Sequence, residues 1–524
     1  MKLSFLTIIC VACVLTSYSQ VSVTTSRNDN NRDGQNLQET ILTPGNVNVS
    51  QFGKLFSQPV DGKVYGQPLY VPNVSIPGLG THNVVYVVTE HDSVYAFDAD
   101  GNSGMNSAPL WKTSLIDPAK GITPIPTSDT GCNDLRPEIG ITSTPVIDIA
   151  KQTMFVLART KENGAYFQRL HALNIGTGTE QPNSPMVIQA KVRGTGAGSV
   201  NGILSFDPLQ QNQRPGLLLV NGAVFIAWSS ICDNPPFHGW LMAYSETTLQ
   251  QVHVWNTTPN GSDGGIWQSG TGVASDGTYL FFATGNGTYD GPKGGLDFGD
   301  SVIRLSVGTG QSSYFTPFDQ ALFDEHDGDV GSGGTLLLPD QGGPHKHLLI
   351  QVGKIGSIYL INRDQMGGYS PKTNHIVQDL ESAIGGMWGT PAWWNNNVYF
   401  GGQFDNLRQY SFDPVSGLLS LTAVAISPTY FKFPGPTPSI SANGNSDAIV
   451  WALQNEKSSG GPTVLHAYDA SDISTELYNS QQDPTRDNPG PAVKFTVPTV
   501  ANGKVYIGTG TQLSVFGLLP AQLH

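Results

Sequence analysis

One pattern recurs from end to end of this chain: a short apolar run that closes on a small–aromatic–polar triplet. Clear copies are Val94-Tyr-Ala-Phe-Asp98, Leu170-His-Ala-Leu-Asn174, Leu241-Met-Ala-Tyr-Ser245 and Leu465-His-Ala-Tyr-Asp469. Looser copies are Val302-Ile-Arg-Leu-Ser306, Ile358-Tyr-Leu-Ile-Asn362, Leu407-Arg-Gln-Tyr-Ser411 and Leu513-Ser-Val-Phe516. Shorter runs precede several copies, as in Gly66-Gln-Pro-Leu-Tyr70, Ser143-Thr-Pro-Val-Ile147, Gly389-Thr-Pro-Ala-Trp393 and Val497-Pro-Thr-Val500. After many triplets comes a Gly, Ser or Thr turn and then an aromatic or apolar residue, such as Trp111 or Trp255. Alternation with a period of two marks half-buried strands. Units of roughly 40–60 residues with four short strands are the signature of propeller blades. Eight copies predict an all-β fold, an eight-bladed β-propeller. The last copy has no strand after it, so Phe52-Gly-Lys-Leu-Phe56 is expected to complete the final blade from the front of the chain.

Composition agrees. The chain has 61 Gly, 35 Pro and only 13% charged residues, which suits many tight turns and disfavours solvated helices. Residues 1–19 read as an export signal, with Lys2, an apolar run from Leu3 to Leu15, and the small residues Ser17 and Ser19 before the cleavage point. Residues 20–46 are polar and Asn-rich, and are expected to be loosely ordered. Residues 47–520 form the single propeller domain. No later segment is long and apolar enough to cross a membrane. The implied location is secreted or periplasmic. Signal removal leaves Cys132 and Cys232, which in an oxidising compartment most simply pair. A formal net charge of −14 disfavours nucleic acid as a partner. No Gly-x-Ser-x-Gly elbow or phosphate-binding GxxxxGK[ST] loop supports a hydrolase or NTPase.

The alanine–aromatic–aspartate triplet followed by a Gly-containing turn and Trp resembles the blade motif of the pyrroloquinoline-quinone (PQQ) β-propeller superfamily. Further stretches resemble its alcohol dehydrogenases. Gly265-Ile-Trp267 and Thr284-Gly-Asn-Gly287 match a cofactor floor and a calcium-binding turn. The resemblance therefore implies that Trp267 stacks on the quinone and that Asn286 is a metal ligand. Asp324-Glu-His-Asp327 matches a catalytic Asp-x-Trp-Asp loop, with His326 in place of the Trp. It implies Asp327 as base and metal ligand, with Asp329 as the nearby alternative. Lys354 matches a cation that touches the quinone oxygens. Asp233 lies where the family has an acidic calcium ligand, and Trp388 ends a stretch that supplies another cofactor contact.

The resemblance implies PQQ and calcium as cofactors and a small-molecule alcohol or sugar as substrate. Departures from the pattern accompany it. Met387 replaces an Asn in Gly385-Gly-Met-Trp388. The adjacent cysteine pair of the methanol- and ethanol-oxidising enzymes is missing, and Cys132–Cys232 could instead tie neighbouring blades together. The mature chain has no Cys-x-x-Cys-His, so electrons would leave to an external acceptor rather than a fused cytochrome. The alternative is a non-catalytic propeller serving as a protein- or carbohydrate-binding scaffold.

Overall fold

The computed structural model describes residues 20–455 and 459–520; the expected export signal lies outside the described residues. The chain forms an eight-bladed propeller. Blade 1 shows the plan. Leu69–Ile76, Gly80–Val88, Ser93–Asp98 and Trp111–Ser114 pair antiparallel in sequence order. The first strand of each blade is the inner one, and the recurring triplet ends the third.

Successive side chains of a strand point to opposite faces, and middle strands such as Ser93–Asp98 are buried along their whole length, so each sheet is covered on both faces and hydrophobic clusters form between neighbouring blades. One joins Leu170 and Ala172 of blade 2 to Ile226 and Met242 of blade 3; another joins Leu241 and Ala243 of blade 3 to Leu280 and Phe282 of blade 4. The small residue of the triplet lets the next sheet approach. The fourth-strand aromatic then fastens the pair. Trp111 packs on Tyr86, and its Nε1 donates to the Ile175 carbonyl of blade 2 at 2.9 Å. A side chain at Gly178 would meet that indole, and its φ of +69° independently favours glycine.

The ring closes as the sequence predicts. Phe52–Pro59 pairs antiparallel with Gln512–Leu518, completing the sheet that holds Lys504–Gly508 and Thr499–Ala501. Phe52 enters the core between blades 7 and 8, with ring centroids 5.4 Å from Trp451 and 5.0 Å from Tyr478. A sheet edge that would otherwise stay open is thereby paired.

The polar stretch at residues 20–46 is the departure. Expected to be loosely ordered, it is instead built into the ring. The Val23 amide pairs with Tyr70 of blade 1, and the Thr24 carbonyl accepts from Ile147 of blade 2. The Asn30 and Asn31 carbonyls accept from Ser275 and Leu337, and that of Asp33 from Trp393. Gln35–Asn36 lies parallel to the inner strand Ser439–Asn443. Arg27 and Arg32 are both 0% exposed. Arg27 donates to the Pro391 and Pro438 carbonyls, and Arg32 to the Val273 carbonyl. Burial pulls both guanidinium pKa values down to about 10, an effect the neighbouring Asp33 and Asp29 oppose. The polarity serves free backbone groups of the inner strands rather than water. Composition alone does not separate these two uses of polar residues.

Gly34 turns this segment with a φ of +72°, and a side chain there would land on the Arg27 guanidinium. Gly34→Ala should destabilise the fold by about 2 kcal/mol or more, seen as a lower urea midpoint. A wild-type midpoint would contradict this role for the segment.

Candidate functional site

The loops that lead into the inner strands converge at one end of the ring axis. The N-terminal segment bonds further along the same strands and closes the axis beyond them. Among these loops lies a cavity of about 300 Å³, lined among others by Trp267, Trp388, Asp329, Lys354, Arg214 and Lys494. Its size suits a small organic ligand.

Aromatic rings form its frame. Trp267 has room because glycines stand at 265 and 285, where a side chain would crowd the indole. The Trp388 ring meets Phe433 edge-on at 5.2 Å, and Phe433 meets Phe495 at 6.3 Å. Arg214 lies 5.8 Å from the Trp267 ring and 4.9 Å from that of Phe495.

One wall is acidic. Helix α1 (Gln320–His326) ends at Asp327 in the left-handed conformation, and the chain then turns inward to Asp329. The Asp327 side chain is 71% exposed and that of Asp329 only 7%, and Asp329 lines the cavity. Lys354 bonds both carboxylates, at 2.5 and 2.7 Å. The Asn286 amide N–H donates to Asp329 at 2.7 Å, and its side-chain Nδ2 to Asp327 at 3.0 Å. The Asn286 Oδ1 is buried with no hydrogen-bond partner. Burial pushes the Asp329 carboxyl up, against the pull of Lys354. Burial also acts against the Lys354 ammonium, but Asp329 and Asp327 outweigh it and hold the pKa above its usual value. Asp233, at the mouth, is raised to about 6 by desolvation and by the negative charge of Asp329.

The opposite wall is cationic. Arg214 and Lys494 share one carboxylate, Asp134, with Arg214 Nη2 at 2.9 Å. Together they outweigh the burial that would raise Asp134 and hold its pKa below the usual range. The Cys132–Cys232 disulfide, with Cα atoms 6.2 Å apart, brackets this wall. Asp134 follows Cys132 by two residues and donates its amide to Cys132 Sγ at 3.3 Å, while Asp233 follows Cys232 directly. Behind the wall, Glu90 is fully buried and accepts from the Gly140 amide.

The residues singled out from sequence thus gather at one end of the axis. Trp267, Trp388, Lys354, Asp329, Asp233 and Cys232 line the cavity, while Asn286 and Asp327 hold Asp329 and Lys354 from outside it. Met387 is buried in the core between blades 5 and 6. Sequence reading missed the cationic wall and the rings of Phe433 and Phe495. A signal existed: Arg214, Ser269, Ser332, Trp388 and Phe495 occupy similar places, just before the inner strand, in blades 3, 4, 5, 6 and 8.

No protein-family model and no curated protein sequence matches the chain. Among solved structures it is similar to a quinohemoprotein alcohol dehydrogenase from Pseudomonas putida. That likeness has 15% identity and a TM-score of 0.59, and it covers 96% of this chain and 81% of the other. It is also similar to BamB from Moraxella catarrhalis, at 11% identity and a TM-score of 0.50, covering 89% of this chain and 99% of that one. At these identities the likeness is one of fold.

Burial raises the Glu90 pKa from 4.5 to about 7, with Gly140, Thr142, Arg159 and Arg214 opposing it. The unfolded chain therefore ionises first, and the stability present below pH 4.5 is lost as pH rises through 7. Glu90→Gln should melt like wild type near pH 4, gain on it from about pH 5 to pH 7, and hold a constant advantage above that. A constant difference between about pH 5 and pH 7 would count against the assignment.

Proposed function

We propose that the chain is an exported quinoprotein-like propeller whose axial cavity binds PQQ and oxidises an alcohol or sugar. The observation that carries this reading is the cavity itself. Trp267 and Trp388 offer aromatic faces, and on one wall Arg214 and Lys494 face the single carboxylate of Asp134, which leaves positive charge beside the rings in an otherwise acidic chain. This is the chemistry a planar aromatic polycarboxylate requires. The neighbour from Pseudomonas putida, a quinohemoprotein alcohol dehydrogenase, supports it at the level of fold. The disulfide fits an oxidising compartment, and no described helix is long and apolar enough to cross a membrane.

A bound quinone would supply the two-electron acceptor for the substrate's hydride. The protein's part is to hold and orient the reactants and to take the hydroxyl proton. Asp329 suits the proton better than Asp327, because it is buried at the cavity wall and fixed by the Asn286 amide. Lys354 stabilises negative charge that develops beside it. The unpartnered Asn286 Oδ1 fits a hard cation such as calcium, with Asp233 and Asp329 as further oxygen donors. The electrons would leave to an external acceptor.

One observation favours the second reading, a scaffold without catalysis. Lys354 already neutralises both Asp327 and Asp329, and no group of three or more His, Cys, Asp or Glu among the described residues could hold a metal. Titrating PQQ with and without calcium, followed by tryptophan quenching and dye-linked oxidation of an alcohol and sugar panel, separates the two. The enzyme reading expects saturable binding, at least tenfold weaker in Trp267→Ala. It also expects turnover that Asp329→Asn abolishes while binding persists. No binding and no turnover would leave the scaffold.

A further inference from the structure

Two lysines line the axial cavity, and their surroundings differ. Lys354 is pinned between two carboxylates, Asp327 and Asp329. Lys494 has one, Asp134, which it shares with Arg214. This wall therefore carries more positive than negative charge, and Lys63 adds to the excess. Lys494 is 4% exposed and its Nζ lies 5.1 Å from the centre of the Phe495 ring. Beside it, Arg214 is also buried, and its Nε has no hydrogen-bond partner. A buried donor of that kind marks a place for an acceptor from a ligand.

We propose that Lys494 is a reactive amine that captures carbonyl compounds bearing an acidic group as an imine, with Arg214 holding the acid. A lysine becomes nucleophilic when it is desolvated beside another cation. Both conditions hold here. Burial, and after it the charge of Arg214, pull the Lys494 ammonium down to about 8, with Asp134 opposing and Lys63 assisting. Roughly a tenth of the amine is then free base at pH 7, against well under a thousandth for a solvent-exposed lysine.

The step balances without a redox partner. The Nζ lone pair adds to the carbonyl carbon and forms the C–N bond. The carbonyl oxygen takes up two protons, the equivalent of those the neutral amine loses, and leaves as water. A C=N bond replaces the C=O bond, and water reverses the step. Carbonyl products of oxidation in the same cavity, if they carry a carboxylate, belong to the class captured, but the proposal does not depend on that activity.

The test uses the purified, disulfide-intact chain with no quinone added. Pyridoxal 5′-phosphate is the acidic carbonyl probe and pyridoxal the control without the acid. Imines are trapped with cyanoborohydride and located by peptide mapping between pH 6 and 10. The expected result is modification of Lys494 at least tenfold faster than any other lysine at pH 7. The rate should rise through about pH 8 and be at least tenfold slower with pyridoxal. Lys494→Arg, which keeps a cation beside Asp134, should abolish this site and retain the wild-type melting temperature. Arg214→Gln should slow the phosphate probe to the rate of pyridoxal. Uniform labelling of lysines, or an unmodified Lys494 while exposed lysines react, would overturn the proposal. Equal rates for the two probes would overturn the role of Arg214.

Discussion

The structure depends on apolar packing between blades rather than within them. A single four-stranded sheet of this chain has two apolar faces and nothing of its own to cover them. Each face is covered by the next blade, so the hydrophobic gain is complete only when the last blade meets the first. Closure by Phe52–Pro59 is the step on which every interblade core depends. It places Phe52 against Trp451 and Tyr478, binding the front of the chain to its far end.

The same closure creates the axial problem and its solution. Eight inner strands around an axis leave backbone groups facing inward. The segment from Val23 to Asn36 meets them one blade after another, with two buried arginines as many-pronged donors. Burying two guanidinium groups costs desolvation, which the inner-strand carbonyls and nearby Asp29 and Asp33 offset. The loops that lead into the inner strands surround the axial cavity. Its two walls have opposite charge balance. The acidic one is built around Lys354, the cationic one around Asp134, each a lone charge held by two of the opposite sign.

Much of this was legible in the linear chain. The triplets at Ala96, Ala172, Ala243 and Ala467 mark third strands because the small residue is a local requirement of close sheet approach. The strand at Phe52 was legible from the missing partner after Phe516. Trp267, Asn286, Asp327 and Lys354 could be placed together because each sits in a stretch resembling a family motif, with Asp329 only as the nearby alternative to Asp327. Arg214, Asp134 and Lys494 could not. Each is an ordinary residue in an ordinary loop, and 80 positions separate Asp134 from Arg214 while 360 separate it from Lys494.

The amino-acid sequence by itself determined the blade count, the order of strands and the element that closes the ring. These follow from short-range periodicity, which every repeat states independently. Only the tertiary structure decided which polar residues face water and which face the axis. It also decided which of Asp327 and Asp329 lines the cavity, and that two cations there would share one carboxylate. Those outcomes depend on where distant loops stand once all eight blades are in place.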